Sequence, residues 1–196
     1  MSSERYQYQI IRKDSRNAFV ESLSDGFSIG KVHLVFAAYD LSKPAGQRQT
    51  NVISVYVDVA EWLELCRKFE SGEMRGILKQ KRETGDRTAI LEWLGGTSAE
   101  RLTALGKGRL DGMSVSRVAK LLCGSKTEFL FVADSGPGRQ NEKGLIVPQF
   151  QRQPENHVTV SLTWEAMSEL VLMTRAHYFA WLSARYMLDC ERRPQS

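Results

Sequence analysis

Hydrophobic and polar positions alternate with a period of two over several short stretches of this chain, and with a period near 3.6 over two longer ones. "RYQYQIIR" (5–12) reads as a strand. "NAFVESLSDGFSIG" is strand-like and is interrupted at Asp25-Gly26, a pair suited to a turn. In "KVHLVFAAYD" (31–40), Val32, Leu34, Phe36 and Ala38 share one face, and Lys31, His33, Val35 and Tyr39 the other. "LSKPAGQRQT" is a loop. "NVISVYVD" is again a strand, with Ile53, Val55 and Val57 opposite Ser54 and Tyr56. "DVAEWLELCRKFESG" changes period: Trp62, Leu65, Cys66 and Phe69 form one helical stripe, Asp58 and Glu61 have the spacing of a capping box, and Gly72 ends the helix.

The later part of the chain repeats this order. "TEFLFVA" (127–133) predicts a strand, "DSGPGRQNEKG" a turn-rich loop, and "LIVPQF" a strand whose Pro148 suits an edge or bulge. "HVTVSL" (157–162) puts Val158, Val160 and Leu162 inward and His157, Thr159 and Ser161 outward. Thr163 then caps a long helix with Trp164, Met167, Leu170, Val171, Tyr178, Trp181 and Leu182 on its stripe. Two echoes support duplication. Asp-Gly followed by a large apolar residue and Ser occurs at 25–28 and 111–114, and a strand runs through a capping Asp58 or Thr163 into an amphipathic helix. "SVSRVAKLLCGSK" fits either a strand of the second copy or a short helix capped by Ser114. The predicted fold is α+β: two related units, each an antiparallel sheet followed by a helix, spanning 1–75 and 111–196. Between them, 76–110 reads as a connection. It holds a hairpin turning at Glu83-Thr84-Gly85-Asp86 and a short helix in "TSAERLTALGKG".

Composition narrows the chemistry. With 196 residues and 42% apolar content the chain is long enough to bury a core, and no apolar run is long enough to span a bilayer. The start has no apolar core of a secretory signal, and Cys66, Cys123 and Cys190 form neither a CxxC pair nor a zinc spacing. A reduced, cytoplasmic protein with core thiols and no metal or cofactor is the expectation. The net charge of +4 is unevenly placed: 76–126 carries 10 Lys/Arg against 5 Asp/Glu, while the flanks are nearly balanced. Concentrated positive charge is what a polyanion binder requires.

Enzyme signatures are weak. His33, His157 and His177 are scattered, "GKGRLDG" lacks the strand and Lys-Ser/Thr of a phosphate loop, and "DSGPGR" offers at most an anion nest. Binding single-stranded nucleic acid needs only cations for phosphates and flat rings for unpaired bases. The candidates are Lys31, His33, Tyr39 and Tyr56 on an open face of the first sheet, joined by Ser54, His157, Thr159 and Ser161. Lys79, Lys81, Arg82 and Arg87 would flank the hairpin, and Arg117, Lys120 and Lys126 would line the edge. Phe36, Phe129 and Phe131 are assigned to the core rather than to stacking.

In the order of its elements, carried by "GFSIGKVHLVFAAYD", "NVISVYVDVAEWLELC" and "NHVTVSLTWEAMSELV", the chain resembles the PC4-like, Whirly and Pur-alpha group of single-stranded nucleic-acid binders. That resemblance implies two sheet-plus-helix units packed through their helices, with basic and aromatic residues on sheets and hairpins holding a strand. The 76–110 segment and the long final helix depart from the pattern. The function expected is non-enzymatic binding of single-stranded nucleic acid, with DNA placed ahead of RNA and possible homo-oligomers through the helices. The alternative is a protein–protein adaptor that docks through the C-terminal helix.

Overall fold

A computed structural model describes residues 7–150 and 153–191. Strands β1 (Gln9–Asp14), β2 (Ala18–Leu23), β3 (Lys31–Tyr39) and β4 (Gln49–Asp58) form an antiparallel meander, with a 3-10 turn at Phe27–Ile29 before β3. Helices α1 (Val59–Glu70) and α2 (Glu73–Thr84) follow. The second sheet is built from β5 (Leu91–Thr97), β6 (Ser114–Cys123), β7 (Phe129–Gln140), β8 (Ile146–Pro148) and β9 (Asn156–Leu162), with the short helix α3 (Ala99–Ala104) between β5 and β6. Strands β9 and β8 share one edge of β7, pairing with its first and last parts. Helix α4 (Trp164–Glu191) follows β9 and is the last described element.

The fold is α+β with a duplicated order: four antiparallel strands and then a helix, β1–β4 with α1, and β5, β6, β7, β9 with α4. The strand-to-helix echo joins equivalent places, β4 into α1 and β9 into α4. The Asp-Gly echo does not. Asp25-Gly26 lies between the second and third strands of its unit, and Asp111-Gly112 between the first and second. Thr163 caps α4, its hydroxyl accepting the Ala166 N–H at 3.2 Å. Asp58 makes no such bond, because its carboxylate is turned to Lys31 at 2.7 Å.

Two local readings are corrected, and one left open is decided. The basic hairpin is helix α2: Met74 and Leu78, one turn apart, are buried, and Gly85 (φ 66) caps the end by donating its N–H to the Lys81 carbonyl. Starting the segment at 76 leaves Met74 off the stripe and hides the helical period. The second unit accordingly begins at β5, earlier than residue 111. "SVSRVAKLLC" is a strand, so the helical option for it falls. "DSGPGRQ" is strand rather than part of a turn-rich loop. A Cβ on Gly138 would sit 2.7 Å from Ser116 Cβ and 2.8 Å from Ile146 Cγ2, so its missing side chain lets β8 lie close over the sheet.

One core joins both units. Phe36 meets Phe131 edge-on at 4.8 Å between ring centroids, and Trp93 packs on Phe131. The predicted stripe Trp62, Leu65, Cys66 and Phe69 is buried, as are Met167, Leu170 and Val171 of α4. Farther along α4, Tyr178 and Trp181 pack on Phe27, and from Ser183 onward every described residue is exposed. Phe36, Phe129 and Phe131 belong to the core as expected. Among the described residues, no helix is long and apolar enough to cross a membrane.

The first sheet does not present an open face. The alternation on β3 holds, but Leu23, His33, Val35 and Ala37, on the side away from the core, are buried as well. The flanking side chains close over the central strands. The Arg12 guanidinium lies 3.6 Å above the Phe19 ring, and Tyr56 covers His33. What stays accessible is the edge strand β4, where Val52 and Tyr56 are about half exposed.

Candidate nucleic-acid interface

The strand edges build the site. Among the described residues β4 pairs only with β3, and β5 only with β6. Where these two unpaired edges approach each other they frame a cleft of about 510 Å³. Lys31, Ser54 and Tyr56 of the first sheet line one side with Asp25 and Ile29; Gly95, Thr97, Arg101 and Arg117 line the other.

Tyr56 and His33 are opposite each other in the β3–β4 register, which brings their rings into a stack 4.3 Å apart and 16° from parallel. The His33 Nδ1 is held by the Asp25 carboxylate at 2.8 Å, so the lower ring is clamped, and the Tyr56 ring stacked on it lines the cleft. Tyr56 is 45% exposed. Burial raises its phenol above the usual tyrosine range, the Asp25 charge adds to this, and Arg117 opposes it. The phenol end of Tyr56 therefore senses a carboxylate and a guanidinium together.

Arg117 is the distinctive group. It projects from β6 on the core side of the second sheet, beyond the packed residues, and is half-buried. Among the described residues its side-chain hydrogen bond is to Thr97 Oγ1 at 2.9 Å, and no carboxylate pairs with it. Burial lowers its pKa below the ordinary arginine value, the one group whose charge opposes this being Tyr56. A guanidinium has five N–H donors, and a desolvated one without a counter-charge favours an anion beside it. Arg101 on α3 is exposed on the same wall, and Lys31 is shared with Asp58 at 2.7 Å.

The structure thus brings together Lys31, His33, Tyr56 and Arg117 from the predicted set. It separates the others. Tyr39 is at the far end of β3 and donates its hydroxyl to the Ser15 carbonyl at 3.0 Å. Lys79 and Arg82 lie on the exposed side of α2, where Arg82 reaches the Thr127 carbonyl and Lys126 stands in the adjoining turn. Lys81 is largely covered and holds the following turn through Asp86 and Thr88. Arg87 is exposed in that turn, and Lys120 pairs with Glu92 on the outer side of the second sheet. The central cations are therefore not one patch: along β6, the six residue steps from Arg117 to Cys123 place the Arg117 group and the α2 group roughly 20 Å apart. Arg101 and Asp25 were missed as site residues because their sequence signals were those of a helix turn and a β-turn.

One other arrangement bears on catalysis. His157 Nδ1 is 2.7 Å from Asp134, and its Nε2 is 2.8 Å from Thr159 Oγ1, a chain that resembles a nucleophile–base–acid relay. It lies across the outer face of the second sheet with His157 more than half exposed, and none of the described cavities adjoins it. His177 is exposed on α4. Among the described residues no group of three or more His, Cys, Asp or Glu has the geometry to hold a metal ion.

The chain matches no known protein-family profile. Neither a curated protein nor a solved structure matches it.

Proposed function

We propose that this protein is a non-enzymatic binder of single-stranded nucleic acid, and that the cleft between β4 and β5 is its principal contact. The observation that carries the reading is Arg117: a half-buried guanidinium with no carboxylate partner among the described residues, facing a cleft that also holds Arg101 and Lys31. Phosphates neutralise these cations, and an unpaired base stacks on Tyr56. A duplex presents no free base face to Tyr56, so single strands are preferred. DNA stands ahead of RNA, and a cytoplasmic setting and the likeness to the PC4-like, Whirly and Pur-alpha group go with this reading. The test is fluorescence anisotropy with labelled single-stranded DNA, single-stranded RNA and duplex DNA at two salt concentrations. Single strands should bind more tightly than duplex and weaken steeply with salt. Equal affinity for duplex, or no salt dependence, overturns the proposal.

One observation favours a second reading, the adaptor. Phe179, Tyr186, Met187 and Leu188 are exposed on the distal part of α4. In that reading this end of the helix docks another protein, or a second copy of the chain. Replacing Tyr186, Met187 and Leu188 by Gln then abolishes complex formation and leaves oligonucleotide binding intact.

A further inference from the structure

A second hollow of about 320 Å³ adjoins the cleft on the outer side of the first sheet. Its apolar lining is Tyr8, Leu23, Val35 and Val52, and its polar groups are Asp25, His33 and Ser54. Asp25 and Ser54 also line the cleft, so the two spaces meet at these residues. An unpaired base is a flat, mostly apolar body with hydrogen-bonding groups on its rim, and such a body suits an apolar hollow with polar groups at one side. Phosphates attached to it would extend towards Lys31, Arg101 and Arg117.

A carboxylate is out of place in a cleft that attracts phosphates, since it opposes their charge. Asp25 is nevertheless fixed there by His33, which engages Oδ1 at 2.8 Å and Oδ2 at 3.1 Å. A carboxylate has about four lone-pair sites, so the Asp25 side chain, 36% exposed, retains acceptor capacity on its open side. Acceptors discriminate among bases. Cytosine, adenine and guanine carry exocyclic amino donors, whereas thymine and uracil offer one N–H flanked by two carbonyl oxygens that a carboxylate repels.

We infer that Asp25 is a specificity residue that selects amino-bearing bases for the hollow beside Tyr56. This rests on the nucleic-acid reading above and adds a base preference to it. The experiment compares equal-length single strands of deoxycytidine, thymidine and N4,N4-dimethyl-deoxycytidine at pH 8, by anisotropy, with the wild-type chain and Asp25→Asn. The wild type should bind the cytidine strand at least about fivefold more tightly than the thymidine strand. Dimethylation should remove that advantage, because it deletes the donors without touching the protein. Asp25→Asn should bring the cytidine and thymidine strands within about twofold of each other, since an amide both donates and accepts. A wild type that binds both strands equally, favours thymidine, or keeps its preference after dimethylation overturns the inference while leaving the binding function in place. A wild type that binds no strand overturns both. A preference that survives in Asp25→Asn removes Asp25 from the readout.

Discussion

The indole N–H of Trp62 donates to the main-chain carbonyl of Val171 at 3.2 Å, and both residues are buried. Trp62 belongs to the helix of the first unit and Val171 to the helix of the second, so this hydrogen bond fastens the two copies together. A second fastening lies nearby, where Thr174 Oγ1 of α4 is 2.6 Å from Ser22 Oγ of β2. Trp62→Ala removes a large buried side chain and its hydrogen bond to the Val171 carbonyl, leaving the weaker Cys66 thiol contact at 3.7 Å to join the two helices there. The expected loss is about 3–5 kcal/mol. Urea unfolding read by circular dichroism measures it, and a change below about 1 kcal/mol would show that the two helices are not held through this residue.

Arg117→Gln should lower affinity for single strands and reduce the slope of log K against log salt by roughly 0.7 for each phosphate that is no longer neutralised. Its half-buried position means the far-ultraviolet spectrum must be checked first. Arg117→Lys should recover part of the slope but not all of the affinity, since a point charge replaces a planar fork. An Arg117→Gln chain that folds and binds with an unchanged slope excludes the cleft as the phosphate site.

Lys79, Lys81 and Arg82 look equivalent in sequence, but Lys81 is occupied by Asp86 and Thr88. The informative change at α2 is therefore Lys79→Ala with Arg82→Ala. With the Arg117 group roughly 20 Å away along β6, a strand held only in the cleft does not reach this helix. Short oligonucleotides should then bind the double variant with wild-type affinity and slope. A flattened slope even for short strands would place α2 at the primary binding site.

Gly138→Ala should destabilise the second sheet by about 1–3 kcal/mol, because the new methyl meets Ser116 on the next strand and Ile146 of β8. The damage should be local at first. Amide exchange is expected to quicken in β8 and the adjoining part of β7 before the first sheet responds. A stability equal to wild type would mean that β8 withdraws without cost.

The cysteines differ in reactivity for reasons of burial. Cys66 is packed between α1 and α4, and burial pushes its thiol up to about 11, so little thiolate forms near neutral pH. Cys190 is exposed near the end of α4, which corrects its assignment to the core. In native protein at pH 8, Cys190 should react quickly with an aromatic disulfide reagent and Cys66 only after denaturant is added. Equal rates would reveal that the two helices part readily.

Much of the fold is readable from periodicity. The alternation in "KVHLVFAAYD" and "NVISVYVD", and the stripe Trp62–Phe69, follow from which neighbours share a face within one element, a purely local property. Helix α2 escapes that reading where a boundary cuts Met74 from its stripe. "DSGPGR" escapes it because turn-forming residues are also those that allow a strand to be closely overlaid, as β8 overlays Gly138.

The candidate site is legible only in part, and the reason is geometric. Period decides which residues lie together on a strand, but not what covers them. The side of β3 bearing His33 and Val35 is polar enough in sequence to suggest exposure, yet Arg12 and Tyr56, brought in by neighbouring strands, help to close it. Likewise the clustering of cations between 76 and 126 is a property of the chain, and folding spreads them: Arg101 and Arg117 towards one end of β6, Lys79, Arg82 and Lys126 towards the other, and Lys120 on the outer face with Glu92. By itself the sequence determined the strands, the amphipathic helices and their duplicated order, because these depend on residues a few positions apart. The convergence of Asp25, Tyr56 and Arg117 on one cleft was decided by tertiary structure alone, because it depends on how the edge of one sheet meets the edge of the other.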